Sequence, residues 1–411
     1  VRNSNLLIDY QCPQCGAPAV LEETDHLFTC EYCKVKSYLL SRVYRYVLPH
    51  KADGGKRLYY VPYWRFKGLL FSCTPNGIKD RIVDVSTRGV HIAKLPPSLG
   101  LRSQTLKIRF LTPDTEGRFL QPEVTYQEML QGIRDRYASS LPGPLFHQEF
   151  IGETLSIVYA PYYMEDRIYD AVLNRPLQAA LSEDTDLNAR PGGRPTWQLQ
   201  FVPAQCPECG WDLEGQRDSF ALNCRNCHSV WHAGKKKFMK VGFGTLPRGD
   251  GAEVTYLPFW RIGTDVSGIP LKTEADLVRL ANLPKVVMPP MEENPFHFWA
   301  PAFKVRPRDF LTFSLRTTLT QPRHDLEPKL PGGTLYPVTL PVDEAMESLK
   351  LNLASFMKPP RKLYPRLPDI KISPRDLRLV YIPFNRRGQE LTHPEFRLRI
   401  NKTLLSYGRL I

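Results

Sequence analysis

Apolar and basic residues alternate in "LKIRF" (Leu106–Phe110) and in "FKVRP" (Phe303–Pro307). A period of two is what a half-buried strand requires. Further along each half the rhythm changes. "YQEMLQGIRDRY" (Tyr126–Tyr137) sets Met129, Leu130 and Ile133 on one face of a helix. "DEAMESLKLNLASFM" (Asp343–Met357) does the same with Met346, Leu349, Leu353 and Phe356, and Asp343 stands near its start. Each half therefore predicts strands and one main helix.

A third pattern recurs four times. "YVPYWRFKG" (Tyr60–Gly68) and "YLPFWRIGT" (Tyr256–Thr264) share an aromatic-proline core, and each half closes on a shorter version, "VYAPYY" (Val158–Tyr163) and "VYIPFN" (Val380–Asn385). As a strand, the first phrase points Tyr60, Pro62 and Trp64 to one side and Val61, Tyr63 and Arg65 to the other. Bulk on both sides predicts a strand covered on both faces. Proline inside it predicts an edge, a strand start or a bulge, where no ladder partner waits for an N–H. The phrase is read as a structural joint of a duplicated β-rich domain; ligand stacking on Trp64 and Trp260 is the alternative.

Composition sharpens this. The chain has 411 residues, enough for several domains, and 38 of them are proline, which favours short elements and many loops. Net charge is +13, unevenly spread. Lys358–Ile411 holds 13 Lys+Arg against 4 Asp+Glu, whereas the first 200 residues hold 24 against 21. Such a tail suits an anionic partner (nucleic acid, an acidic protein face or a membrane surface) or is a solvated basic surface. No apolar run is long enough to span a bilayer. No secretory signal is read, and the start at Val1 leaves a removed leader open.

Eight of the nine cysteines form Cys-x-x-Cys pairs: Cys12/Cys15 with Cys30/Cys33, and Cys206/Cys209 with Cys224/Cys227. Fourteen residues separate the two pairs of each set (16–29 and 210–223), which argues for duplication. Four thiolates predict one closed, tetrahedral structural zinc site per set, hence two Zn2+ and a reducing, cytoplasmic setting. Gly16 and Gly210 follow the first pair of each set, where a tight turn needs positive φ. Iron is the weaker reading, because Lys34 and His228 replace the glycine that rubredoxins carry after the second pair. Cys224-Arg-Asn-Cys227-His228 also matches a haem-attachment pattern, but that would orphan Cys206 and Cys209. Cys73 stands alone and reads as a small buried hydrophobe.

No Walker loop, G-x-G-x-x-G, G-x-S-x-G or H-E-x-x-H motif occurs, so nothing here points to an enzyme. The ribbon followed by "TYLPFWRIGTDVSG" (Thr255–Gly268) resembles uncharacterised bacterial zinc-ribbon proteins, often labelled transcription-factor-type or primosomal-helicase-like ribbons. The likeness covers about 60 residues in each half. It implies zinc and no particular activity.

The expected fold is α+β and β-dominated, a tandem duplication. Each half is a four-cysteine zinc ribbon fused to a β-rich domain with one main helix. The expected divisions are ribbon 1 (1–48), β-rich domain 1 (49–190), a Gly/Pro linker (191–203), ribbon 2 (204–242) and β-rich domain 2 with a basic end (243–411). An extra loop, 317–338, lengthens the second half. The expected function is a non-enzymatic scaffold or adaptor subunit with protein partners in a larger complex. The alternative is nucleic-acid binding by the basic-aromatic stretches after the ribbons, with Lys235, Lys236 and Lys237 on phosphates.

Overall fold

The computed structural model describes residues 6–41, 43–180, 186–234, 237–247, 253–322 and 324–408, apart from the side chains of 103–104 and 178–180. Among these residues strands dominate and the two four-cysteine clusters lie in separate regions, giving the expected α+β, tandem architecture. The chain forms two compact units. Unit 1 comprises Val1–Lys67, Val83–Tyr137 and Glu153–Pro203; unit 2 comprises Gly68–Ile82, Ala138–Gly152 and Ala204–Ile411. The units are thus not the two sequence halves, since unit 2 takes two segments expected in β-rich domain 1.

An eleven-stranded sheet, most of whose residues belong to unit 1, is centred on the neighbouring strands Leu58–Thr74 and His147–Met164. Unit 2 repeats the plan with Val254–Ser267 and Lys371–Arg387 at the centre of seven strands. These two run antiparallel, in the register Tyr256↔Pro383, Leu257↔Ile382 and Pro258↔Tyr381. The two aromatic-proline phrases of that half therefore face each other with tyrosine opposite proline both ways. Both faces are covered as expected: Tyr60, Val61 and Tyr63, like Tyr256, Leu257 and Phe259, are buried.

The prolines do not lie on edges. Pro258 sits where the neighbour on one side changes. Tyr256 pairs with Leu335 of a parallel strand, and Phe259 pairs with Pro301 of an antiparallel one. Between them the Pro258 carbonyl accepts from Ala302 N at 3.0 Å. In extended backbone a residue's N and C=O point the same way, so the missing N–H falls in the gap between two partners. Pro62 repeats this, with Tyr60 paired to Phe119 and the Pro62 carbonyl accepting from Gly89 N at 2.8 Å. Pro161 lies between Tyr159, paired in parallel with Val47, and Tyr162, paired antiparallel with Asp170. Pro383 lies between Tyr381, paired with Thr245, and Asn385, paired with Thr392. One device, a proline at a change of neighbour, occurs four times.

Helix Tyr126–Ala138 forms where its period placed it, with Met129 and Ile133 buried. Thr125 and Glu128 cap it: Thr125 N donates to the Glu128 carboxylate at 2.7 Å and Glu128 N to Thr125 Oγ1 at 3.3 Å. The helix expected over 343–357 is two, Val342–Glu347 and Leu349–Phe356, broken at Ser348. "LKIRF" contributes the strand Ile108–Phe110. "FKVRP" is not a strand. It leads into a helix, Pro307–Thr320, whose first residue is the proline. Its buried Phe310, Phe313, Ser314, Thr317 and Thr318 have helical spacing. Thr318, with Gln321 and Asn352, bonds the backbone of the outermost strand, His297–Pro301, and so closes that sheet edge.

The expected linker 191–203 is woven into unit 1. Gly192 and Gly193 pair with Leu120 and Phe119, and Gln200–Pro203 pairs with Ser37–Leu40 beside the first ribbon. Gly192 is there for close approach rather than freedom, because a Cβ would meet Phe119 O at 2.5 Å.

Candidate metal centres

Each cluster is built from hairpin turns. In ribbon 1, strands Leu7–Gln11 and Pro18–Glu22 pair across Cys12 and Cys15, and Leu27–Thr29 and Lys36–Leu40 pair across Cys30 and Cys33. Gly16 N donates to Cys12 O at 2.9 Å and Lys34 N to Cys30 O at 3.1 Å, closing both turns. Ribbon 2 repeats the first turn with Gly210 N on Cys206 O at 2.9 Å. Gly16 (φ 73) and Gly210 (φ 72) adopt the left-handed backbone that the spacing predicted. Lys34 (φ 61) and His228 (φ 48) adopt it too, without glycine. The missing glycine therefore does not separate zinc from iron, since the backbone accepts the turn regardless.

The sulfurs converge. The four sulfurs of each set lie within 4.8 Å of one another. Cys12–Cys33 and Cys15–Cys30 are 3.8 and 3.6 Å apart, and Cys206–Cys227 and Cys209–Cys224 are 3.6 and 3.4 Å apart. Sulfurs tetrahedrally placed about 2.3 Å from one ion stand roughly 3.8 Å from each other. Both clusters fit a metal ion. Three of the thiols are drawn toward the thiolate: Cys30, to about 6, chiefly by the backbone N–H of Cys33; Cys209, to about 6, chiefly by the Asn226 side chain; and Cys206, where burial is outweighed by the backbone N–H groups of Cys209 and Glu208. Cys73 behaves oppositely. It is fully buried in the apolar core of unit 2, and burial pushes its thiol up to about 12.

Ribbon 2 carries a feature that the sequence reading missed. The buried hydroxyl of Ser229 lies 3.0 Å from Cys227 Sγ and accepts the Trp231 indole N–H at 2.7 Å. Toward a Cys227 thiolate, which can only accept, the hydroxyl is the donor. The matching position of ribbon 1, two past the last cysteine, is Val35. His228 takes no ligand place: its Nδ1 accepts from Leu330 N at 3.3 Å. That contact belongs to the expected extra loop, which also bonds ribbon 2 through Arg225 to Pro331 O and through Phe220 N to Val338 O. The loop is a clamp on the ribbon.

The remaining candidates are dispersed. Trp64 and Trp260 are structural: their indoles donate to Val124 O at 2.8 Å and Leu340 O at 3.0 Å. Lys237 is exposed beside the strand Phe238–Val241; Lys235 and Lys236 lie outside the described residues. In the basic tail, Tyr381 and Phe384 are fully buried within strand Lys371–Arg387, so part of it is core. Among the described residues no helix is long and apolar enough to cross a membrane. Comparison with family models, curated proteins and solved structures finds no match.

Proposed function

We propose that the protein is a non-enzymatic scaffold or adaptor subunit, stapled by two zinc ions and working in a reducing, cytoplasmic setting with protein partners. The carrying observation is that each cluster is a closed set of four thiols. Such a set fills a tetrahedral ion and leaves no position for water or substrate, which favours a structural over a catalytic metal. The ribbon joined to a Tyr-x-Pro-Phe-Trp strand supports kinship with the uncharacterised bacterial zinc-ribbon proteins. Tagged protein isolated from its native cells is expected to carry two zinc ions per chain and a stoichiometric protein partner. A red protein with thiolate-to-iron absorption, or a chain that elutes alone under every gentle lysis condition, overturns the reading.

A second reading is nucleic-acid binding on ribbon 2. It is favoured by Trp211, which is 60% exposed immediately after the first knuckle, in the same ribbon as the exposed Lys237. Stacking on such a ring and phosphate contacts from lysine suit a single strand. In that case oligonucleotide affinity falls with salt at a log–log slope of about −0.7 per contact. Under the scaffold reading random oligonucleotides bind weakly at physiological salt.

A further inference from the structure

The internal repeat exposes a missing counter-ion. Arg65 and Arg261 occupy the same place in the two Tyr-x-Pro phrases, three residues past Pro62 and Pro258. Arg65 is buried and neutralised, with Glu23 at 3.2 Å and Asp84 at 3.3 Å. Asp84 lies five residues before Gly89, the partner of Pro62 (84 to 89). Five residues before Ala302, the partner of Pro258, stands His297 (297 to 302). The cation stands at the same position in both halves, whereas the place of the Asp84 carboxylate is taken by an imidazole.

Arg261 is half-buried and has no carboxylate within 4.0 Å among the described residues. Asp376 lies over Gly263 instead, with its Oδ2 4.0 Å from His297 Nε2. Directly opposite Arg261, across the ladder, stands a second cation, Arg378. Like charges so placed repel. Burial first, then Arg378, lowers the affinity of the Arg261 guanidinium for its proton. His297 is likewise shifted down by burial and by Arg261, which keeps the ring neutral near pH 7. Beside Arg261 opens a cavity of about 200 Å³, also lined by Asn294, His297 and Trp299. Trp299 is 1% exposed, and its indole N–H has no partner among the described residues. A buried donor without an acceptor is costly, and so is a half-buried guanidinium with no carboxylate in contact and only the more distant Asp376 to offset Arg378.

We propose that this cavity binds a small oxyanion, a carboxylate or phosphate group. Arg261 supplies the charge, and the Trp299 N–H and the Asn294 amide supply hydrogen bonds. A planar carboxylate suits the guanidinium fork. Glu274, also in the wall, opposes a dianion, so a carboxylate binds better than phosphate. The site does not depend on the scaffold reading, because a ligand here is compatible with any partner.

The test is calorimetric titration of the full-length, zinc-loaded protein with acetate and, separately, with inorganic phosphate. Saturable binding is expected, tighter for acetate. Arg261→Gln should weaken it at least about tenfold, the scale of a lost charged hydrogen bond. Trp299→Phe keeps an aromatic ring, removes the donor together with the five-membered half of the indole, and should weaken binding several-fold. His297→Asp restores the carboxylate that Arg65 enjoys. It should raise the thermal midpoint without anion and abolish the further rise that acetate gives the parent protein. No saturable binding of either anion up to about 10 mM, above the range of weak specific sites, overturns the proposal. So does binding that both folded variants, Arg261→Gln and Trp299→Phe, leave unchanged.

Discussion

Ser229 gives the two metal centres different chemistry on one plan. Its hydroxyl is held by Trp231 and turned to Cys227, whereas Val35 offers the first cluster nothing comparable. Hydrogen bonds to ligand atoms commonly change metal affinity by about 10- to 100-fold. Ser229→Ala should therefore speed metal release from ribbon 2 by about tenfold and leave ribbon 1 unaltered. Chelator competition followed by absorbance resolves the two releases, and an unchanged slower phase contradicts this role. The cysteines themselves were legible from spacing alone. Ser229 was not, because a lone serine after a Cys-x-x-Cys-His string carries no signal until the sheet brings Trp231 to its lone pair.

At the scale of elements, glycine and proline act by position. Gly192, expected as part of a Gly/Pro linker, is a strand residue pressed against Phe119 O. Gly193, its neighbour, has nothing within 4 Å of a built Cβ. Gly192→Val should cost about 2 kcal/mol, as overpacking does, and Gly193→Val little. Urea unfolding of the two variants decides this; equal midpoints would return 191–203 to the role of a loose tether. Helix Tyr126–Ala138 was readable because its apolar period and its Thr125/Glu128 cap agree. Helix Pro307–Thr320 was missed because serine and threonine occupy half of its buried face, where Thr317 bonds its own turn and Thr318 the adjoining strand.

At the scale of the whole molecule, ribbon 1 is tied into unit 1 by strand pairing. Lys36–Leu40 pairs with Gln200–Val202 and Pro203, and Ile8 pairs with Ile108. Cys12→Ser removes one ligand of a metal that contributes on the order of 10 kcal/mol in zinc peptides. One metal ion per chain should be lost. Hydrogen exchange should rise over Leu7–Leu40 and at Gln200–Pro203, with Val254–Ser267 staying protected; equal deprotection of that strand would show a single cooperative unit. The sequence by itself determined the duplication, both thiol sets and the β-dominated architecture, because each is written in local spacing and period. Only the tertiary structure decided which neighbours a residue meets. Four similar phrases became four changes of neighbour at a proline. Two matching arginines became one neutralised cation and one open site. A counter-ion comes from a strand distant along the chain, through a register that no local pattern encodes.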